Sequence, residues 1–346
     1  MKLLIGLALA ATAAAGGAQV WDWSTDKSEL SSEPGFAASK ALCRQVIRRE
    51  PPAADAPDAA SAAALRGCSS ESLYYGIGMK ADPVKARQCA FLEIREKRDD
   101  SPFSGRVMLM IAYANGVGAK RDLDVATHLA CGIEGAPMES DGRVRHLAEL
   151  KAKGWTGRDF DFCDDITSGL AMGYCASHEA DMAGARRDSE LAALARGMAP
   201  TQAQAFAALR KAHAAFVDAH GEDEVDLSGT ARAAMQIGEE EKLRDELLAM
   251  VKALEAAKAP RFTAAEYQAA DAALNSAYRA YLASDAVGGD YPGAISRQGV
   301  RDAQRAWIRY RDAFFAFAAL RYPQVTRDSL ATWITRKRTE MWKATD

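Results

Sequence analysis

The chain has 346 residues, of which 49% are hydrophobic and 26% charged, and its formal net charge is −3. At roughly 150 residues per domain that length suggests about two domains, and so balanced a composition excludes both a disordered polyelectrolyte and a dedicated nucleic-acid binder. Alanine supplies about a fifth of the residues and strand-favouring β-branched and aromatic residues are thin, so the composition predicts an all-α protein.

Residues 1–18 read as a signal peptide. Lys2 is followed by an apolar run from Leu3 to Ala15, with small residues at Ala13, Ala15 and Ala18 where a peptidase can cut. The first cysteine, Cys43, lies too far on for a lipid anchor, and no later stretch approaches the ~18 apolar residues of a membrane span. Residues 19–64 then hold Trp21, Trp23 and a helix from about Phe36 to Arg49, which ends at Pro51 and Pro52. The stretch from Pro51 to Ala60 reads as a linker.

Between residues 65 and 158 the chain repeats itself at an offset of 40. Tyr74-Tyr75-Gly76-Ile77-Gly78 with Asp82 matches Ala114-Asn115-Gly116-Val117-Gly118 with Asp122, and Tyr113 supplies the tyrosine of the second copy. Each unit predicts helix, glycine turn, helix, since glycine enters the left-handed cap without steric cost and aspartate suits the N-cap of the returning helix. The units resemble Sel-one-like repeats, relatives of tetratricopeptide repeats. That resemblance implies a scaffold whose stacked hairpins present a concave surface to a protein partner, with Tyr74, Tyr75 and Tyr113 near the groove.

Residues 159–346 predict antiparallel helices. One begins at Pro200–Thr201. Another follows Pro260, with Thr263 and Glu266 as a capping box and Phe262 and Tyr267 as a hydrophobic staple. A third runs from about Ser296 to Arg321, stopped by Pro323. On the second helix Asp271 and Asn275, four apart, can hydrogen-bond, while Leu274, Tyr278 and Tyr281 form an apolar stripe. On the third, Val300, Trp307, Tyr310 and Phe314 make the buried face, Arg301, Arg305 and Arg309 line an adjacent one, and Arg309 is placed to pair with Asp312. Leu209–Ala219 aligns with Ala303–Ala313 at an offset of 94, which suggests an internally duplicated module.

Three stretches resemble the LprI-type lysozyme-inhibitor family: Cys163 with Cys175; Asp271, Leu274, Asn275 and Tyr278; and Gln304, Trp307, Tyr310, Arg311 and Asp312 with a trailing Thr335–Glu340. The resemblance implies a small exported helical domain that binds a lysozyme-like muramidase, with Arg301, Arg305 and Arg309 as the contact to its carboxylate-lined cleft. It also makes Cys163–Cys175 the first candidate bridge, provided that Gly169 and Gly173 break the helix, since twelve residues of straight helix span about 18 Å. The chain departs from the family where a cysteine pair is replaced by Phe315 and Leu330. All six cysteines formally allow 15 pairings.

No CxxC, Cys/His metal spacing, phosphate loop or nucleophile elbow is present, so neither metal, cofactor nor catalytic residue is expected. The acidic runs Glu222-Asp223-Glu224 and Glu239-Glu240-Glu241 read as solvated surface. They belong to a segment, Gly221–Met250, with nine acidic residues against three basic, which favours a basic partner at long range.

Overall fold

A computed structural model describes residues 21–98 and 101–342; the expected signal peptide lies outside the described residues. Thirteen α-helices and several short 3-10 turns make up the fold, with no strand among the described residues. The first part comprises α1 (Ala37–Val46), α2 (Ala59–Ala64), α3 (Ser70–Tyr75), α4 (Pro83–Arg95), α5 (Gly105–Asn115), α6 (Leu123–Cys131) and α7 (Pro137–Ala152). From α3 to α7 each helix packs on the next. The central α5 is buried nearly all round, which explains its unbroken apolar run Val107–Ile111.

The offset of 40 has a backbone basis. Gly76 and Gly116 both cap in the left-handed region, at φ 76° and 63°. The Asp82 amide donates to the Leu73 carbonyl as the Asp122 amide does to that of Tyr113. Both aspartate side chains cap the returning helix. At Gly118 a side chain would run into the Pro83 carbonyl, so the second turn sits directly on the start of α4.

Two disulfides secure this part: Cys43–Cys131 joins α1 to the end of α6, and Cys68–Cys89 joins the α2–α3 connection to α4. The expected linker at 51–60 is no loose tether. Asp55 there accepts a hydrogen bond from the Tyr113 hydroxyl at 2.7 Å and pairs with Arg87 at 3.2 Å, and α2 begins at Ala59.

The second part comprises α8 (Gly169–Ala195), α9 (Pro200–Asp223), α10 (Arg232–Glu255), α11 (Ala264–Ala283), α12 (Arg297–Arg321) and α13 (Arg327–Met341). Capping boundaries are where the sequence puts them: Thr263 and Glu266 form the box of α11, and Ser296 caps α12. Cys163 and Cys175 are joined, but not because glycine breaks a helix. Cys163 lies in the 3-10 turn Phe162–Asp165, and α8 starts afresh at the Ser168 cap. Gly169 and Gly173 instead let α8 press against α10, since a side-chain carbon would collide with the Thr230 carbonyl at one and with Ala233 at the other.

These six helices fall into two triplets. In each, the first helix packs on the third, α8 on α10 and α11 on α13, while the middle helices α9 and α12 pack on each other. The offset of 94 superposes the burial pattern of the middle pair, α9 on α12, but not that of α8 on α11 or of α10 on α13. Phe206, Leu209, His213, Phe216 and His220 on α9 are buried, and so are Val300, Ala303, Trp307, Tyr310 and Phe314 on α12. Phe216 and its counterpart Tyr310 stack on one another, with centroids 5.8 Å apart and planes 4° apart. That is what a two-fold-like contact requires of equivalent residues.

Two apolar cores result. One takes residues from Trp23 to Cys175, the other from Leu191 to Trp342. The long helix α8 feeds both, so its first turns belong to the hairpin part and its last to the triplets.

Candidate functional site

Helix α12 divides its residues between a core face and an open one. Trp307, Tyr310 and Phe314 are buried against α9 and its neighbours. Arg301, Arg305 and Arg309, each one turn beyond the last, are exposed, and Ile308 beside them is 37% accessible. Arg305 pairs with Asp302 at 2.7 Å; Arg301 and Arg309 make no ion pair among the described residues. The Asp302 carboxyl is held below its ordinary range, first by the Gln298 amide and then by Arg305 and Arg301. The expected Arg309–Asp312 pair does not form. Asp312 is taken by Arg311 at 2.9 Å, and the Arg311 guanidinium also lies over the Trp307 and Phe315 rings. Phe315 and Leu330, at the positions of the missing cysteine pair, both join the second core.

The remaining family-like residues have supporting work. Asn275 donates to the Asp271 carboxylate at 3.1 Å and to its carbonyl at 2.9 Å, on the outside of α11. Leu274 is buried, and Tyr278 packs against Trp342 at 5.4 Å. Gln304 accepts a hydrogen bond from Arg338 Nε at 3.0 Å. Arg338, itself inaccessible, makes a two-pronged pair with Glu224 at 2.6 and 2.7 Å, and its guanidinium lies 4.2 Å from the Trp342 ring.

Glu224 thus contradicts the reading of its acidic run as solvated surface. It is buried where α9 ends, and His220 Nδ1 sits 2.8 Å from it. Burial by itself would push its carboxyl up, but Arg338 and then His220 hold it down at about 2. Nothing local in the sequence marks this residue, because its main partner lies 114 positions away. The trailing Arg338 of the third family-like stretch was the available signal.

The repeat tyrosines are committed within the fold. Tyr113 is buried with its hydroxyl on Asp55. Tyr75 donates to Asp161 at 2.7 Å and packs against His178, whose Nδ1 lies 2.6 Å from Glu71. Tyr74 meets Asn115. Tyr75 still borders an open groove of about 840 Å³ between the Gly76–Met79 turn and α8. Gly76, Gly78, Gly116, Gly118, Asp82 and Asp122 serve turn and cap geometry. Among the described residues no cluster of three His, Cys, Asp or Glu side chains has metal-binding geometry.

The face that joins these elements is therefore the α11–α13 triplet, with its arginine row outward and its aromatic residues inward. Residues 249–341 match the family model described as Lysozyme inhibitor LprI. The matched segment takes in the end of α10 and all of α11, α12 and α13, including Arg301, Arg305, Arg309, Gln304 and Arg338. It leaves out the hairpin part and most of the first triplet. No curated protein and no solved structure matches the chain. The match is to an inhibitor family rather than a catalytic one. Among the described residues no helix is long and apolar enough to cross a membrane.

Proposed function

We propose that the protein is an exported, non-catalytic inhibitor of a lysozyme-like muramidase, protecting the cell envelope, and that Arg301, Arg305 and Arg309 enter the carboxylate-lined cleft of that partner. The single observation that carries this reading is the family match over α11–α13. Three further features support it. A guanidinium presents donors in a fork that fits carboxylates, and two of these three arginines have no competing internal partner. Their side chains project from one rigid, well-packed helix, so little ordering is needed on binding. Disulfides persist in oxidising compartments outside the cytosol, and all six cysteines are paired. The hairpins of residues 65–158, Sel-one-like in pattern, act in this reading as the stapled platform on which α8 and the triplets stand, and residues 169–255 are a second, diverged copy of the matched unit.

The test is a muramidase assay with the purified mature chain titrated to tens of micromolar, beside a variant with Arg301, Arg305 and Arg309 all replaced by alanine. Dose-dependent inhibition that the variant loses is the expected result. Absence of inhibition over that range contradicts the reading and moves the weight to the scaffold alternative, in which the groove beside Tyr75 takes a protein partner.

A further inference from the structure

The arginine row of α12 is longer than the target proposed for it. Arg301 and Arg309 are eight residues apart in the chain, which is about 12 Å along a helix axis, whereas the two carboxyl groups flanking the bond in a glycoside hydrolase stand about 5–10 Å apart. Such a cleft matches only part of the row, and the surroundings of each arginine decide which part.

The N-terminal end is neutralised from within. Asp302 follows Arg301 and is held at both oxygens: Arg305 donates to one at 2.7 Å and the Gln298 amide to the other at 2.9 Å. A second carboxylate, that of Asp223 at the end of α9, stands against Gly299, where a side-chain carbon would meet it at 2.5 Å. Two acids thus share this end with two arginines. The C-terminal end differs. From Ala303 to Arg321 the helix carries a single acid, Asp312, and Arg311 already donates two hydrogen bonds to it, at 2.9 and 3.1 Å. Arg311 is itself placed over the Trp307 and Phe315 rings, so Asp312 has its partner, and Arg309 has no ion pair among the described residues. Beside Arg309, Ile308 is 37% accessible. An apolar side chain there excludes water around the neighbouring charged contact, which is how the strong contacts of an interface are built.

We propose that the row acts through its C-terminal end: Arg309 is the guanidinium that meets a carboxylate of the cleft, Ile308 packs on the apolar wall beside it, and Asp302 is an internal brake that keeps Arg301 and Arg305 from competing for that place. The proposal rests on the inhibitor reading for its partner and deepens it by ranking three residues that the reading treats alike. The surface it fits is a carboxylate with an apolar rim, which a fork of charge-assisted donors next to an aliphatic side chain complements, and not a broad acidic field.

Inhibition constants of the full mature chain and of its single variants against a muramidase separate the three arginines. Arg309→Ala should weaken inhibition about tenfold or more, the scale of a hydrogen bond between charged groups, and Ile308→Ala should weaken it severalfold through lost apolar contact. Arg301→Ala and Arg305→Ala should stay within about threefold of wild type, as exposed charges beside a neutralising acid do. Asp302→Asn should tighten inhibition severalfold, because it removes the acid and releases Arg305; a merely structural role for the row gives no such gain. All five substitutions lie on the exposed face of α12, and each variant should melt as the wild type does. A loss in Arg309→Ala no larger than in either other arginine variant, or unchanged or weaker inhibition by Asp302→Asn, overturns the proposal and leaves the inhibitor reading in place. No inhibition by the wild type overturns both.

Discussion

The α8–α10 and α11–α13 triplets are built on the same frame and stabilised differently. In the second, Trp307, Tyr278 and Tyr281 fill the space between helices, and Arg338 carries a buried pair across to Glu224 of the first. In the first, Arg244 of α10 is about one-third exposed and pairs with Glu240 and Glu241 of its own helix. One arginine is thus a pin between the two units, the other a surface ion pair. A helical frame fixes which residues face inward; it leaves open whether a charge is buried and paired across units or held at the surface.

The largest test of this difference is Arg338→Met. It strands the Glu224 carboxylate, and should cost about 3–5 kcal/mol in a urea titration, whereas Arg244→Met should cost under about 1 kcal/mol. The double variant Arg338→Met/Glu224→Leu should recover most of the loss, because burying neither charge is close to neutral. If Arg338→Met and Arg244→Met are equally mild, the distinction between pin and surface pair fails.

A comparable contrast is expected between Trp307→Ala, which empties a filled core site and should cost about 3–5 kcal/mol, and Gly184→Ala, which adds a methyl to an open one and should be neutral or slightly stabilising. Similar penalties at both positions would mean that the space beside Gly184 is not open.

The pH profile separates the units further. Burial holds the His213 imidazole at about 4, against 6.5 when exposed. Between pH 6.5 and 4 the unfolded chain therefore binds a proton that the folded one refuses, so stability is complete above 6.5 and falls by up to about 3 kcal/mol as pH drops through that window. Glu224, held at about 2 against 4.5, has its stabilising effect above 4.5 and loses it as pH falls toward 2. His213→Gln should flatten the upper limb and Glu224→Gln the lower, in stability measured from pH 8 to 3. An unchanged upper limb in His213→Gln would show that the buried imidazole is not its source.

The smallest effects on stability belong to the row on α12. Each of Arg301→Ala, Arg305→Ala and Arg309→Ala should lie within about 0.5 kcal/mol of wild type, as exposed substitutions do. A larger loss would make the row part of the fold rather than a free contact.

Much of the frame was legible in the sequence because it depends on local signals. Thr263 with Glu266, Ser296 and Pro323 mark helix ends by chemistry confined to a few residues, and the buried stripe Val300–Trp307–Tyr310–Phe314 follows from helical period alone. The arginine row was legible for the same reason. What escaped was set by residues far apart in the chain. Glu224 reads as one more surface acid until Arg338 is brought to it from 114 positions away. Asp312 had two arginines in reach, and only the packing of Trp307 beneath Arg311 decides between them. Asp55 looks like linker until Tyr113 and Arg87 close on it.

The most direct test of the central claim is the mode of inhibition. Initial rates of muramidase on cell-wall substrate, measured over a range of substrate concentrations with fixed amounts of the mature chain, should show a raised apparent KM with unchanged kcat, because the proposed contact puts the arginine row in the cleft that the substrate needs. The Arg301/Arg305/Arg309 alanine variant should leave KM where it was. Inhibition that lowers kcat without moving KM, or that persists undiminished in the variant, would contradict the account.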